Sequence, residues 1–282
     1  MVDKKIDISL KEIIRLAIII IMVLFSFLPL IWMIAASLVP EDILFRSIIP
    51  ITTNITLKHY NYVFSRTDFT RWYINSLIVG FTNILITMPT ATMMAYVATR
   101  FKQKYPWLKA FGPFALFLYM IPGIVLALPL VLIFGYLKLF DTLLGVAIAN
   151  STWSMPLSLW LLWGYFENIP PELEEAAFVD GASRWQVLSR IIIPIARPGM
   201  AAVSIFSFLT VWLDYLFALT LIRSEANYTA SLGITWLIKE YSFAWGELTA
   251  AATLMAIPST IIAFLSFKYL LYGFQMTLKG VR

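Results

Sequence analysis

The chain has 282 residues, of which 60% are hydrophobic and 13% are charged, and its mean hydropathy is +0.82. A soluble domain carries roughly 25% charged and roughly 45–50% apolar residues, so this excess of apolar side chains requires a lipid bilayer as solvent. The absence of cysteine excludes disulfides and thiolate chemistry, and the single histidine, His59, excludes paired-histidine metal sites. In a membrane protein the net charge of +5 says less than the distribution of lysine and arginine among the loops, which indicates orientation.

Six stretches are long and apolar enough to cross the hydrocarbon core as helices, which takes about 20 residues. In chain order they are Ile13–Leu38, Trp72–Ala98, Leu108–Leu137, Leu143–Tyr165, Gly199–Ile222 and Leu248–Leu271. The first follows a basic start, but its apolar run is longer than the roughly 7–15 residues of a signal-peptide core, so we expect a retained helix. Prolines within the spans predict kinks that neighbouring helices accommodate. The sequence therefore predicts an all-α integral membrane protein with six transmembrane helices.

Lysine and arginine are distributed unequally between alternate loops. With a cytoplasmic N-terminus and six spans, the inside segments hold fourteen of the 21 basic residues and the outside segments hold seven. An excess of basic residues favours the cytoplasmic side, so both termini are predicted inside. Residues 1–12 are then a cytoplasmic N-terminus, and 13–282 form one transmembrane domain whose loop 166–198 faces the cytoplasm.

This cytoplasmic loop contains the run PPELEEAAFVDGASRWQVLSRIIIPIARP (170–198), which predicts two short helices joined by a turn at Gly181. Three acids, Glu172, Glu174 and Glu175, fall in the first turn, where carboxylates complement the helix dipole. Pro194 is expected to end the second helix. A connector lying in the headgroups would carry basic residues on its polar face, whereas the first helix carries four acids and no base. We therefore favour docking to a protein.

The spacing Glu175-Ala176-Ala177, Gly181 and Ile191–Pro194 resembles the EAA loop of permease subunits in ATP-binding-cassette (ABC) importers. The family pattern is E-A-A-x3-G-x9-I-x-L-P, and only Ile193 departs from it. Flanking stretches resemble the carbohydrate-uptake branch, and within it the shorter, maltose-type permease subunit. They are NSLIVG (75–80), AYVATRF (95–101), WLLWGYFENIPPELEEAAFVDGAS (160–183) and WGELTAAATL (245–254).

The resemblance implies a type I ABC importer permease fold in a prokaryotic cytoplasmic membrane. The implied function is that of a membrane-spanning permease subunit of an ATP-driven importer for oligosaccharides or related sugars. The alternative is the same machinery for a sugar alcohol, glycerol phosphate or peptide. Because the chain lacks the phosphate-binding pattern G-x-x-x-x-G-K-[ST], ATP and Mg²⁺ are expected on separate ATPase subunits, with no cofactor or metal on this chain. The implied partners are a homologous second permease, two ATPase subunits and an extracytoplasmic solute-binding protein.

The resemblance further implies that the helix at Glu172–Ser183 couples closure of the ATPases to alternating access. The expected coupling residues are Glu172, Glu174, Glu175, Ala176, Ala177, Asp180, Gly181, Ala182, Ser183 and Pro194. Glu174 and Glu175 are expected to pair with basic residues of the ATPase, and the alanines to permit close packing.

Asp214 is the one acid well inside a predicted span, where an ionisable side chain usually faces a cavity or a partner. In a continuous fifth helix it shares a face with Ser204 and Ser207, and aromatic residues lie nearby, a combination suited to sugars. The candidate pathway residues are Asn75, Asn83, Asn150, Ser154, Ser207, Trp212, Asp214 and Tyr215. The alternative is that Asp214 pairs with a neighbouring helix or subunit and that the other polar side chains join helices.

Two other classes of function fit the sequence less well. An intramembrane enzyme would need a nucleophile or a second carboxylate beside Asp214, and the predicted spans supply neither cysteine nor a second acid. A channel or secondary carrier would need no acidic cytoplasmic docking helix. We therefore expect a non-catalytic transport subunit.

Overall fold

The computed structural model describes residues 10–44, 54–239 and 242–279, so most of the predicted cytoplasmic N-terminus 1–12 lies outside the described residues. In the described part of the chain, the regular secondary structure is helical except for one antiparallel hairpin, in which Ile238–Lys239 pairs with Ser242–Phe243. The prediction of an all-α protein is confirmed.

Long helices alternate with short ones along the chain. The α-helices are α1 (Leu10–Ser37), α2 (Glu41–Leu44), α3 (Lys58–Arg66), α4 (Phe69–Arg100), α5 (Phe111–Tyr119), α6 (Gly123–Tyr136), α7 (Leu143–Glu167), α8 (Glu172–Val179), α9 (Arg184–Val187), α10 (Ile193–Trp212), α11 (Leu216–Leu221), α12 (Ala230–Gly233) and α13 (Trp245–Lys279). The 3-10 turns are Pro106–Ala110, Glu225–Asn227 and Ile234–Leu237, and Leu188–Ile192 form a π-helical turn.

Four helical stretches of the described residues are long and apolar enough to cross a membrane. They are Lys11–Ser37, Phe69–Arg100, Arg184–Trp212 and Trp245–Leu265. The helices Pro106–Tyr119 and Gly123–Tyr136 qualify as a fifth span only as a pair, bent by 91°. The fourth predicted span is present as α7. It is less apolar than those four stretches because it carries buried Asn150, Ser151, Ser154 and Ser158. The count of six spans stays a prediction.

The third predicted span, Leu108–Leu137, is wrong as a continuous helix. Its two helices are separated at residues 120–122, and Pro122 has the extended backbone angles φ −60° and ψ 134° immediately before α6. Proline cannot donate the backbone hydrogen bond that would continue α5, and it disfavours helical geometry in the residue before it. The chain therefore turns sharply here instead of kinking slightly.

Compact packing divides the chain into two units, Met1–Thr67 with Leu237–Leu254 and Asp68–Trp236 with Met255–Arg282. In the first unit, residues 11–32 of α1 are exposed throughout, as expected of a helix solvated by lipid. The buried ring of His59 joins two other parts of this unit. Its Nε2 lies 3.0 Å from the Val39 carbonyl oxygen, and its Nδ1 lies 3.5 Å from Glu247 Oε1. Because a carbonyl only accepts, Nε2 carries the proton.

In the second unit, α7 is the central helix, and it packs against α4, α5 and α10. One apolar cluster, with Leu162, Phe166 and Ile192 fully buried, surrounds the end of α7 that leads into the 166–198 loop. A second cluster, which includes Val146 and Leu221, surrounds the beginning of α7. Polar side chains join the helices between these two clusters.

Asp141 joins the turn between α6 and α7 to the segment that follows α11. Its carboxylate accepts hydrogen bonds from the backbone N–H groups of Arg223 (2.9 Å) and Ser224 (3.0 Å) and from the Ser224 hydroxyl (2.7 Å). Its own carbonyl accepts from Asn227 Nδ2 at 2.7 Å. Burial acts to raise the pKa of Asp141, but these bonds stabilise the ionised form, and the pKa lies below its ordinary value.

We expect this junction to lose stability in acid. A depressed pKa contributes stability that is present above the ordinary value of about 3.9 and is lost as the pH falls through the lower folded-state value. Asp141→Asn should therefore unfold at a lower temperature than the wild type at pH 7, and the difference should shrink below about pH 4. Asparagine tolerates the positive φ of 58° at this position, so the variant tests the charge. Thermal unfolding in detergent measures the difference, and a pH-independent gap would contradict the expectation.

Candidate functional site

The loop 166–198 contains two short helices and a tight turn, as the sequence predicts. After α8, Gly181 adopts φ +83°, and the N–H of Ala182 donates to the Ala177 carbonyl at 2.9 Å. This left-handed conformation favours glycine. A capping box then starts α9, because Ser183 Oγ accepts from the Gln186 N–H at 3.3 Å and the Gln186 side chain accepts from the Ser183 N–H at 2.8 Å. The angle between the two helices is thus set locally.

The prediction that Pro194 ends the second helix is wrong. The chain passes from α9 through the π-helical turn into α10, and Pro194 lies in the first turn of α10. At the end of the π-helical turn, the N–H of Ile193 donates to the Leu188 carbonyl, five residues earlier. The wider turn just before the proline accommodates its ring and its missing N–H, so the loop continues directly into the membrane helix.

One face of α8 is exposed and carries acids together with an apolar residue. Glu172, Glu175, Ala176 and Val179 follow the helical spacing i, i+3, i+4, i+7, and all four side chains are exposed. Val179 is 89% exposed. Asp180, Gly181 and Ser183 extend this surface beyond the helix, whereas Ala177 and Ala182 are half-buried against the apolar cluster around Leu162 and Phe166. We call the exposed residues the α8 face, and they are Glu172, Glu175, Ala176, Val179, Asp180, Gly181 and Ser183.

Glu174 does not belong to the α8 face: its charge partner in the described chain is an arginine of α4, and a pairing with an ATPase stays a prediction. Its side chain is buried, only 6% exposed, and its carboxylate pairs with the guanidinium of Arg100 at the end of α4. Tyr96 Oη donates to the other carboxylate oxygen at 3.0 Å. Sequence reasoning missed Arg100 as a functional residue, although a basic residue closing an apolar helix in the stretch AYVATRF could have indicated it.

Three candidate pathway residues form a buried hydrogen-bonded cluster that joins α4, α7 and α10. The Oδ1 atom of Asn83 accepts from Ser207 Oγ at 2.8 Å and from Ser154 Oγ at 3.2 Å. Its Nδ2 donates to the Ala147 carbonyl and to Ser151 Oγ. Asn83, Ser154 and Ser207 are each 0% exposed. Their contacts in the described chain are those of residues that join helices, the alternative that the sequence left open.

Asn75 and Trp212 also have contacts within the chain. Asn75 Nδ2 donates to the carbonyls of Ala226 (3.0 Å) and Tyr228 (2.9 Å). The ring of Trp212 is fully buried, and its Nε1 donates to the Met255 carbonyl at 3.1 Å. Both side chains stabilise the packing of the second unit.

The expectation that Asp214 shares a helix face with Ser207 is wrong. The helix α10 ends at Trp212, and Asp214 lies in the break before α11. Its carboxylate accepts from the backbone N–H groups of Phe217 and Ala218, each at 3.2 Å, so it caps α11. An aspartate side chain that bonds to nearby backbone competes with a continuous helix, which explains the break. Asn150 Nδ2 donates to the same carboxylate at 3.2 Å. Tyr215, which follows Asp214 in the chain, is 39% exposed.

Comparison with known proteins matches residues 88–272 to the family described as "Binding-protein-dependent transport system inner membrane component". The trehalose/maltose transport system permease protein MalG of Thermococcus litoralis is 32% identical over 282 residues, which cover 96% of this chain and 98% of that protein. The trehalose transport system permease protein SugB of Mycobacterium tuberculosis is 32% identical over 243 residues, covering 85% and 86%. The inner membrane ABC transporter permease protein YcjP of Escherichia coli is 32% identical over 231 residues, covering 80% of each.

Solved structures share the fold. A chain of a bacterial ABC transporter that imports the acidic polysaccharide alginate aligns with a TM-score of 0.74 at 21% identity, covering 91% of this chain and 95% of that one. A chain of the MetNI methionine ABC transporter in an inward-facing conformation aligns with a TM-score of 0.55 at 16% identity, covering 71% and 91%. At these identities the likeness concerns the fold, which is that of an ABC importer permease.

Proposed function

We propose that this chain, which belongs to the family of binding-protein-dependent transport system inner membrane components, carries a carbohydrate across the membrane. Transport occurs when separate ATPase subunits close. The chain is a multi-pass permease subunit of an inner membrane importer. The proposed substrate class rests on relatives named for trehalose and maltose. Uptake of another solute, such as a sugar alcohol, glycerol phosphate or peptide, is the alternative.

The observation that carries the coupling role is the division of α8 into two sides. Glu174 anchors the helix inward, whereas the α8 face presents Glu175, Ala176 and the 89% exposed Val179 outward. An exposed valine flanked by acids suits a protein cleft with apolar walls and a basic rim better than anionic lipid. Two ATPase subunits, which hold ATP and Mg²⁺, are the proposed occupants. A homologous second permease and an extracytoplasmic solute-binding protein complete the proposed assembly.

Tyr215 is the candidate pathway residue that the described chain leaves most accessible. It follows Asp214 in the irregular segment between α10 and α11, beside the Asn150 contact. Irregular backbone at membrane depth is tolerated where protein buries it or where it lines a water-filled cavity. An aromatic ring at such a break suits the apolar face of a sugar, so Tyr215 is proposed to line the pathway.

Co-purification from native membranes tests the coupling role. Glu175→Lys combined with Val179→Lys reverses a charge on the α8 face and adds a charge at its most exposed apolar position, so the ATPase subunits should be lost from the detergent-solubilised complex. Glu225→Lys makes the same charge reversal as Glu175→Lys at an exposed position outside the 166–198 loop, and it should keep the ATPase. Absence of an ATPase from the wild-type complex would overturn the proposal. Uptake of radiolabelled maltose and trehalose by ATP-loaded vesicles tests the substrate class.

A further inference from the structure

At the end of α4, three consecutive residues each contact a different part of the 166–198 loop. They are Arg100, the last residue of the helix, and the two that follow it, Phe101 and Lys102. Arg100 contacts α8, Phe101 contacts the start of α9, and Lys102 contacts the end of α7. All of these residues belong to the second unit. We call the three residues the α4 anchor.

The contacts of Arg100 are those of a buried, oriented ion pair. Its Nε pairs with the Glu174 carboxylate, its Nη1 donates to the Phe166 carbonyl at 3.0 Å, and its Nη2 donates to the Ile169 carbonyl at 3.2 Å. The side chains of Arg100 and Glu174 are 12% and 6% exposed. One guanidinium therefore holds the last turn of α7 and the first turn of α8 in a single arrangement. Removing one partner would leave a buried charge uncompensated, so this arrangement resists separation.

Phe101 and Lys102 hold the two flanks of the loop. The guanidinium of Arg184, at the start of α9, lies 4.8 Å from the Phe101 ring centre and 5.4 Å from that of Phe178 in α8. These distances are within the range of cation–π attraction. On the other flank, Lys102 Nζ pairs with Glu167, the last residue of α7. The end of α4 is thus joined to the loop before, within and after α8.

We infer that the α4 anchor transmits the displacement of α8 to α4, so that ATPase closure moves α4 together with the loop. This inference rests on the proposed function, because it requires an ATPase that engages the α8 face. The α8 face contacts the partner, and the α4 anchor positions the helix that carries this face. Transmission through such contacts needs groups that do not slip past one another, and a desolvated ion pair with two further hydrogen bonds satisfies that condition.

The absence of cysteine from the chain permits a direct test of α4 movement. A single cysteine is introduced as Thr70→Cys, at an exposed position in the first turn of α4 and at the predicted outer end of this helix, in the complex reconstituted into proteoliposomes. The rate of its reaction with a maleimide is compared with and without ATP and Mg²⁺, and is read on the permease band after gel separation. We expect the rate to change at least about fivefold, the lower end of ordinary coupling between sites.

Charge reversal of the more exposed pair then tests the anchor itself. Lys102→Glu and Glu167→Lys, each alone, should abolish the ATP-dependent change in labelling while ATP hydrolysis and co-purification of the ATPase persist. The double variant, which restores the pair in reverse, should recover the change to within about twofold. Arg190→Gln, an exposed basic residue of the same loop, is the matched control and should behave as the wild type. Arg100→Met with Glu174→Leu removes the buried pair as a unit, a replacement that proteins often tolerate, and it should also abolish the ATP-dependent change in labelling.

The outcomes separate the inference from the proposed function. If the wild-type complex contains no ATPase, the proposed function fails. If the ATPase is present but labelling at Thr70→Cys is insensitive to ATP, or if the single charge reversals and the removal of the Arg100–Glu174 pair all leave the change intact, the α4 anchor does not transmit movement. A purely structural role would lower the yield of complex without altering the labelling change per complex, which also overturns the inference.

Discussion

Replacement of Gly181 by valine should reduce ATP-driven uptake by at least about tenfold while the membrane helices stay folded. Gly181 has φ +83°, and a β-branched residue is a clear outlier at positive φ, with a cost of roughly 1–2 kcal/mol. The turn would relax to another conformation, and the α8 face would change its direction relative to α9. No atom lies within 4 Å of a Cβ placed at Gly181, so the effect comes from the backbone and not from a clash.

Gly181→Asn is the matched control, because asparagine adds a side chain of similar size but tolerates the left-handed conformation. It should retain most of the uptake. Uptake by vesicles and ATP hydrolysis are measured for both variants, and thermal unfolding in detergent checks that the membrane part is intact. Equal uptake by the valine and asparagine variants would show that the conformation of this turn does not control coupling.

Replacement of Asn83 by leucine should destabilise the packing of α4, α7 and α10 by about 2 kcal/mol. Asn83 makes four hydrogen bonds, two as donor and two as acceptor, and its side chain is fully buried. Hydrogen bonds between membrane helices contribute about 0.6 kcal/mol each on average. Leucine forms none of them, so all four bonds are lost. A denaturant or thermal titration of the purified complex in detergent measures the loss.

Thr90→Val provides the control for this change in the same helix. Thr90 is exposed, and its hydroxyl donates to the Ile86 carbonyl one turn earlier in α4. Its removal should alter stability by less than about 0.5 kcal/mol, as for most surface substitutions. If Asn83→Leu is as stable as Thr90→Val but loses transport, Asn83 serves the pathway and not the packing of helices.

Features that depend on neighbouring residues could be predicted from the sequence. Composition is sufficient to require a bilayer, and long apolar runs place α1, α4 and α13. The turn at Gly181 follows from local chemistry, because glycine alone combines easily with positive φ between two amphipathic segments. The spaced pattern around Glu175 indicates the family, because all of its residues lie within one short segment of the chain.

The sequence could not show which residues of α8 are buried and which are exposed. Glu174 and Glu175 are adjacent acids of equal propensity, and their directions differ by about 100° around a helix. The packing of α8 against Arg100, which is 74 residues earlier in the chain, turns Glu174 inward and leaves Glu175 exposed. The partners of Asn83 lie 64 to 124 residues away, so its role was equally hidden.

The sequence by itself determined that this is a helical membrane protein and where the loop 166–198 turns, because these properties arise from composition and from residues close together in the chain. Tertiary structure alone decided the buried cluster around Asn83 and the pairing of Glu174 with Arg100. A polar side chain in an apolar helix has several ways to satisfy its hydrogen bonds. Only the approach of the other helices selects which of them forms.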